Sequence, residues 1–380
     1  MDAHGRLPAM DNLRALAMLA GVGFHAALAH SPMMHPLWPA ADAGNAPVVD
    51  ALAWFLHAFR MPVFFLVAGY FSAHLLARHG MAGLFRNRGA RVGLPLLVFL
   101  PLASLAMHAL TLQAAEDSTN PPPALAWVRG YLQAGGELPW LTGWMHLWFL
   151  FYLLVFTLLA WVVATLGFER VGTRFARLPT AALVPLPPLA LAPALIVPGA
   201  PWPAPDGFLP ALWAMVYFGA YFALGACVFR HAVLVERLRP AFWYLLVGAV
   251  AAHALLFGWR GGAPAHGWPV LLEAAAGYWM TLWCLLAATR WLDSAHALLR
   301  WLADASYWVY LVHLPVLFAL QYRLMDLAMP WPAKWALATG VTLAVCLASY
   351  QWLVRGTVIG RLLAGRLFKR PLAPVPERAA

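Results

Sequence analysis

Residues 146–166 read HLWFLFYLLVFTLLAWVVATL, twenty-one positions without an Asp, Glu, Lys or Arg. About 20 such residues, coiled as a helix, cross the hydrocarbon of a bilayer, whereas a helix on a soluble domain keeps one polar face for water. This run has no polar face and is therefore read as a membrane-spanning helix. The same alternation of apolar run and Arg cluster recurs to both sides of it. Of the 380 residues 63% are apolar and 11% charged, with a mean hydropathy of +0.70; soluble domains carry about a quarter charged residues. These values exclude a soluble globular protein. They predict an all-α, polytopic integral membrane helix bundle, a single domain over 1–370 followed by a short disordered cytoplasmic tail over 371–380.

Ten spans emerge, over about 13–30, 47–76, 90–112, 146–166, 180–198, 210–229, 241–258, 268–289, 300–321 and 333–354. Numbering the connections alternately puts nineteen cationic residues on the side of the N-terminus, while the other side receives Arg129, Arg260, Arg323 and Lys334. The positive-inside rule then places both termini in the cytoplasm. The N-terminus, lacking a small-residue cleavage site, is read as a retained first helix. The fifth span contains five prolines, each removing a backbone donor, so it must be kinked and packed against neighbours. The largest outer loop, about 113–145, is too short for a separate domain. A net charge of +10 is explained by membrane orientation, since no basic face suggests nucleic acid. Cys227, Cys284 and Cys346 lie inside apolar runs without metal-ligand spacing, so neither a disulfide nor a metal is expected.

Ionisable groups inside spans cost several kcal/mol unless they are paired or face a cavity. The first span supplies Arg14 and His25, the second His57 and Arg60. Eleven residues of helix turn through about 1100°, which stacks His25 over Arg14 on one stripe, about 16 Å deeper. Arg14 sits at the inner boundary, where it can snorkel or pair with Asp11. His25 is near mid-bilayer, beyond the reach of snorkelling; Arg60 lies at a similar depth with His57 one turn away on the same face. These groups either tie two helices together by hydrogen bonds or line a polar reaction chamber. On the inner side, LFRNRGARVG (84–93) places Arg88 and Arg91 three apart at a helix start, an arrangement suited to polyphosphate and also to simple positive-inside charge.

Elsewhere His146 opens the fourth span, and Ser306, Tyr310 and His313 share roughly one face of the ninth, where they can line the same cavity. Asp304, Ser306 and His313 have the residue types of a hydrolase triad, but no G-x-S-x-G elbow accompanies them.

Several segments together resemble the membrane acyltransferase family 3: the Arg14-x10-His25 pattern, FRMPVFFLVAGYF (59–71), the Arg88-x-x-Arg91 pair, HLWFLFYLL (146–154) and SYWVYLVHLP (306–315). HAFRMPVFFLVAGYF (57–71), YFGAYFALGACVF (217–229) and SYQWLVRGTVIGRLLAGR (349–366) look nearest to a group within it associated with succinylation of osmoregulated periplasmic glucans. The resemblance implies a multi-pass protein of the bacterial inner membrane that moves an acyl group from cytoplasmic acyl-CoA to an extracytoplasmic glycan. It implies an essential role for His25 and donor binding by Arg14, Arg88 and Arg91. Succinyl-CoA or acetyl-CoA is then a co-substrate, and no cofactor is held permanently.

Residue chemistry is compatible with that expectation. A pantetheine arm reaches about as far as His25 stands above the inner boundary. His25 can act as general base on the acceptor hydroxyl, or as nucleophile through an acyl-histidine; both remain open. Arg60 can stabilise the oxyanion or bind the distal carboxylate of a succinyl group. A transporter or flippase also places His and Arg in the membrane, but such folds often carry inverted repeats, and no matching halves are found here. A non-catalytic scaffold for a glycan synthase would tolerate loss of His25.

Overall fold

The computed structural model describes residues 8–165, 169–260, 265–294 and 296–364. The tail over 371–380 and Arg6 fall outside them. Among the described residues there is no strand, and the helices follow one another as α1 (Pro8–Leu28), α2 (Pro47–Arg88), α3 (Leu94–Asp117), α4 (Pro123–Gln133) and α5 (Trp148–Thr165). They continue as α6 (Glu169–Arg177), α7 (Thr180–Leu183), α8 (Leu186–Leu191), α9 (Leu212–Arg230) and α10 (Val233–Leu238). The last are α11 (Phe242–Arg260), α12 (Val270–Trp291), α13 (Ala297–Leu324), α14 (Trp331–Ser349) and α15 (Val358–Ala364).

Among the described residues seven helical stretches are long and apolar enough to cross a membrane: Pro47–Asp117, Met145–Thr165, Leu212–Arg230, Val233–Trp259, Val270–Trp291, Ala297–Leu324 and Trp331–Val354. Large apolar side chains such as Leu97, Leu212 and Tyr244 lie exposed on their outer faces, as a lipid-facing surface requires. Helix α1 is not among the seven, because Asp11, Asn12, Arg14 and His25 lower its hydropathy. It nevertheless packs against α2, α12, α13 and α14.

The first stretch cannot be one rod. Its 71 residues would extend about 105 Å, more than three times the hydrocarbon thickness. The helical path breaks at Gly80, whose φ of 64° and ψ of −173° suit only a residue without a side chain. Beyond it, a π-helical turn over 89–93 carries Arg91 and leads into α3. Arg88 Nη2 donates to the Ala68 carbonyl at 3.3 Å and to Ser72 Oγ at 2.5 Å. In a straight helix residues 72 and 88 would be about 24 Å apart, so the chain has doubled back.

Helices α2 and α9 cross in backbone contact. A Cβ at Gly225 would lie 1.8 Å from the Leu66 carbonyl oxygen and one at Gly69 1.9 Å from that of Phe222. Close approach through small residues is how helices associate where the surrounding lipid is as apolar as they are. The proline-rich segment, expected as one kinked span over 180–198, is instead broken into α7, α8 and a 3-10 turn over 192–195, because its prolines remove the backbone donors that would join them. Tyr278 and Trp279 of α12 donate to the freed carbonyls of Leu183 and Val184 at 3.0 and 2.9 Å. Thr180 hydrogen-bonds Arg237 at the Arg-rich end, and Ala200 bridges Ala265 at the opposite end, so the broken segment runs the height of the bundle. In the 113–145 region the structure adds detail, with α3 reaching Asp117 and α4 forming a separate short helix.

Away from the Arg-rich end, Lys334 Nζ meets Asp42 Oδ2 at 2.5 Å, with both side chains about 5% exposed. Asp42 also accepts from the Gly44 amide at 2.8 Å, and Lys334 donates to the Met325 carbonyl at 3.2 Å. Removing one member leaves the other charge buried alone, which costs about 3–5 kcal/mol. Lys334→Met is therefore expected to lower the Tm of the detergent-purified protein markedly. The double variant Asp42→Leu with Lys334→Met should recover most of the loss; equal Tm values for the single variant and the parent would refute the pair's role.

Candidate active site

Two groups of polar residues occupy different heights on α1. At the Arg-rich end, Arg14 pairs with Asp11 one turn below at 3.3 Å and reaches the Ala303 carbonyl of α13 at 3.4 Å. Its guanidinium also lies 5.8 Å from the Phe71 ring centre on α2. Arg88 is held against α2 as described, with Arg14, Arg91 and Tyr307 in electrostatic range of it. Tyr307 of α13 fastens the π-turn by donating to the Arg91 carbonyl at 2.7 Å. The three arginines singled out in the sequence thus gather where α1, α2 and α13 meet. Tyr307 was not foreseen, although it is one turn before Tyr310 and its hydroxyl could have been expected to seek a carbonyl.

The second group lies deeper. Arg60 is 8% exposed, its guanidinium carbon 4.7 Å from the centre of the Phe24 ring. It presses so closely on α1 that a Cβ at Gly21 would fall 2.6 Å from Nη1. Gly21 and His25 are one turn apart, so Arg60 and His25 share a level, as their positions in the two spans predict. His57 faces the same region: its Nε2 is 2.9 Å from the Trp202 carbonyl, and its ring lies 3.8 Å from the Trp202 ring and 5.2 Å from that of Phe24.

His25 itself is partly exposed, in contact with Trp38 and His313 at ring separations of 6.4 and 5.4 Å. His313 is 5.3 Å from His146. Met145 takes a left-handed φ of 50°, a conformation costing a residue with a side chain about 1–3 kcal/mol, and so turns His146 into this group. Tyr310 donates its hydroxyl to the His146 carbonyl at 2.8 Å. The structure therefore brings His25, His57, Arg60, His146, Tyr310 and His313 into one cluster. Ser306 is different: fully buried, it bonds the Ala303 carbonyl of its own helix at 2.9 Å and faces no base.

Two tryptophans pack against this cluster, Trp38 on His25 and Trp202 on His57, and neither is marked in the sequence. Trp38 lies between α1 and α2 in sequence and is fixed by Gln321, which accepts from its Nε1 at 3.2 Å and donates to the Ala26 carbonyl at 3.1 Å. Trp202 enters from the connection between α8 and α9 and is fully buried. Several buried polar atoms of this cluster have no hydrogen-bond partner among the described residues, among them His25 Nδ1, Arg60 Nε, His313 Nε2 and both ring nitrogens of His146. Buried polar groups are almost always satisfied, so these atoms are open to hydrogen bonds from water or a ligand.

Apolar helices long enough to cross a membrane, with a basic cluster at one end of α1 and a cluster of His, Arg and Tyr side chains deeper along it, define a membrane-type helix bundle with a polar interior. The model of the acyltransferase domain of acyltransferase family 3 matches residues 7–351, and the chain belongs to that family. It is a membrane acyltransferase. Glucans biosynthesis protein C of Salmonella paratyphi B, Salmonella dublin and Salmonella typhi is 31% identical to it over 321 residues, which cover 81% of this chain and 81% of each relative. No solved structure is significantly similar.

Proposed function

We propose that the protein takes a succinyl group, or alternatively an acetyl group, from cytoplasmic acyl-CoA and transfers it to hydroxyl groups of an extracytoplasmic glycan such as osmoregulated periplasmic glucan. The observation that carries this reading is the placement of both groups on one helix. Arg14 and His25 stand about 16 Å apart along α1, the length of an extended pantetheine arm. Arg14, Arg88 and Arg91 suit the phosphates of the donor through bidentate guanidinium contacts, while His25 and Arg60 meet the thioester. The glucan acceptor is favoured by the name of the relatives, glucans biosynthesis protein C.

In this reading the chain crosses the inner membrane of a bacterium ten times with both termini cytoplasmic. The seven long stretches, of which the first holds two helices, together with α1 and the broken segment over 180–195, supply that number. An even number returns the C-terminus to the side of the N-terminus, in keeping with the distribution of Arg.

Radiolabelled succinyl-CoA and acetyl-CoA, each given to the cytoplasmic face of inverted vesicles, test the reading directly. Label in glycan on the opposite side identifies the donor. No label from either, with glycan present, overturns the reading in favour of transport of an envelope glycan or its precursor. Arg88→Ala is expected to raise the apparent KM for the donor by about tenfold or more with little change in kcat, because phosphate contacts are shared by ground and transition states. A fall in kcat alone would contradict that role.

A further inference from the structure

His313 holds its ring by Nδ1, which is 3.1 Å from the Val309 carbonyl and 2.9 Å from that of Tyr310. A carbonyl only accepts, so Nδ1 carries the proton and Nε2 of the neutral ring presents a lone pair. That Nε2 is buried without a partner, and so is Nδ1 of His25 on the facing ring, whose centre is 5.4 Å away. If His25 Nδ1 also lacked a proton, two acceptors on neighbouring rings would be left unsatisfied in a low-dielectric interior, at a cost to each. One tautomer of His25, with the proton on Nδ1, relieves both atoms through a small ring rotation or a single bridging water.

We propose that His313 is a positioning residue for His25, its Nε2 accepting from His25 Nδ1–H and so keeping His25 Nε2 free for chemistry. The inference rests on the acyl-transfer reading and deepens it. As the acceptor oxygen bonds to the thioester carbonyl, its proton passes to His25 Nε2. The C–S bond then breaks and the same proton leaves with the CoA sulfur, so the imidazole pair returns to its starting state. If His25 is instead the nucleophile, the same free Nε2 bonds to the thioester carbonyl carbon as the C–S bond breaks and CoA leaves as thiolate; the acceptor oxygen then displaces the imidazole from the acyl carbon, and its proton goes to the thiolate. The other titratable or charged groups in this region are Arg60 and His57 on α2, His146 before α5 and Tyr310 on α13.

The test compares His313→Leu, His313→Asn and His313→Gln with the parent protein in lipid vesicles. Gln places an acceptor oxygen near the position of the imidazole Nε2, whereas Asn is too short to reach it. Leu and Asn are expected to lower kcat by about 10²-fold at unchanged donor KM, and Gln to recover most of it. The second readout needs no substrate: the rate at which diethyl pyrocarbonate modifies His25, followed by mass spectrometry of the peptide containing it. This rate should fall several-fold in the Leu and Asn variants and return in Gln. If Leu fails to fold, the Asn and Gln pair gives the same comparison. Unaltered His25 modification in the Asn variant, or Gln no better than Asn, overturns the proposal. Absence of acyl transfer by the parent would count against the enzyme reading, while the modification rates would still decide the pairing.

Discussion

His25→Ala is expected to reduce acyl transfer to background while the protein accumulates in the membrane and keeps its Tm. The two halves of this expectation have separate physical sources. A positioned general base contributes about 10²–10⁴-fold, and loss of a covalent nucleophile costs at least as much. The stability half follows from what His25 touches: its contacts are with Trp38, Phe24 and His313, its Nδ1 is unpartnered, and the ring is partly exposed. Truncating it removes at most the single bond proposed to His313 and leaves the Gln321 bond that ties α13 to the Ala26 carbonyl of α1. The measurement is label transfer in inverted vesicles beside thermal unfolding of the same preparation. Normal transfer by His25→Ala would remove both the general-base and the acyl-histidine mechanisms. Parallel loss of transfer and Tm would return His25 to a structural role. A donor-dependent mass increase on the His25 peptide of the parent would select the covalent route.

What was legible in the sequence follows the physics of each feature. Spans are readable because lipid imposes its demand on every residue of a run, so α5 declares itself without reference to the rest of the chain. Arg14 and His25 are readable because their relation lies within one helix, and the Arg14 pairing with Asp11 was open to the same geometry. The depth match of Arg60 and His25 needed only helix rise. Relations between distant segments carry no period. Trp38 and Trp202 are two of 20 tryptophans, and nothing in their neighbours marks them as contacts of the cluster. Gly80 could be read as a glycine but not as the reversal point, because Gly89 and Gly93 stand close by and are helical, with φ of −58° and −63°.

The minority cations of the outer side show the same boundary between what was and was not readable. They entered the sequence reading as charges, yet Arg129 is bound by the Ala115 and Ser118 carbonyls at 2.5 Å each, and Lys334 is buried against Asp42. Both are components of packing, which supplies a reason for their presence besides membrane orientation. His313 lies between these cases. Its place on one face with Tyr310 was evident from spacing, but its Nδ1 bonds to carbonyls within its own helix, which only the ring's orientation reveals.

The remaining large effect is expected at Arg60. Replacement by Met should lower kcat/KM for transfer by about 10²–10³-fold, the usual cost of removing a donor aimed at a developing oxyanion. Two roles separate by donor. Oxyanion stabilisation predicts comparable losses of kcat with succinyl-CoA and acetyl-CoA, whereas recognition of a distal carboxylate predicts a rise in KM confined to succinyl-CoA. Arg60→Lys should restore little in either case, since an ammonium lacks the planar pair of donors. The stability of Arg60→Met tells function from architecture. Arg60 is buried, has no ion pair among the described residues and keeps Nε unsatisfied. A buried charge without a counter-ion opposes folding, so its removal should leave Tm unchanged or raise it. An arginine that served to fasten α2 to α1 would instead lower Tm when removed. Inactive protein that is at least as stable as the parent would show that the chain bears this charge for what binds at the cluster, and full turnover with both donors would show that it does not.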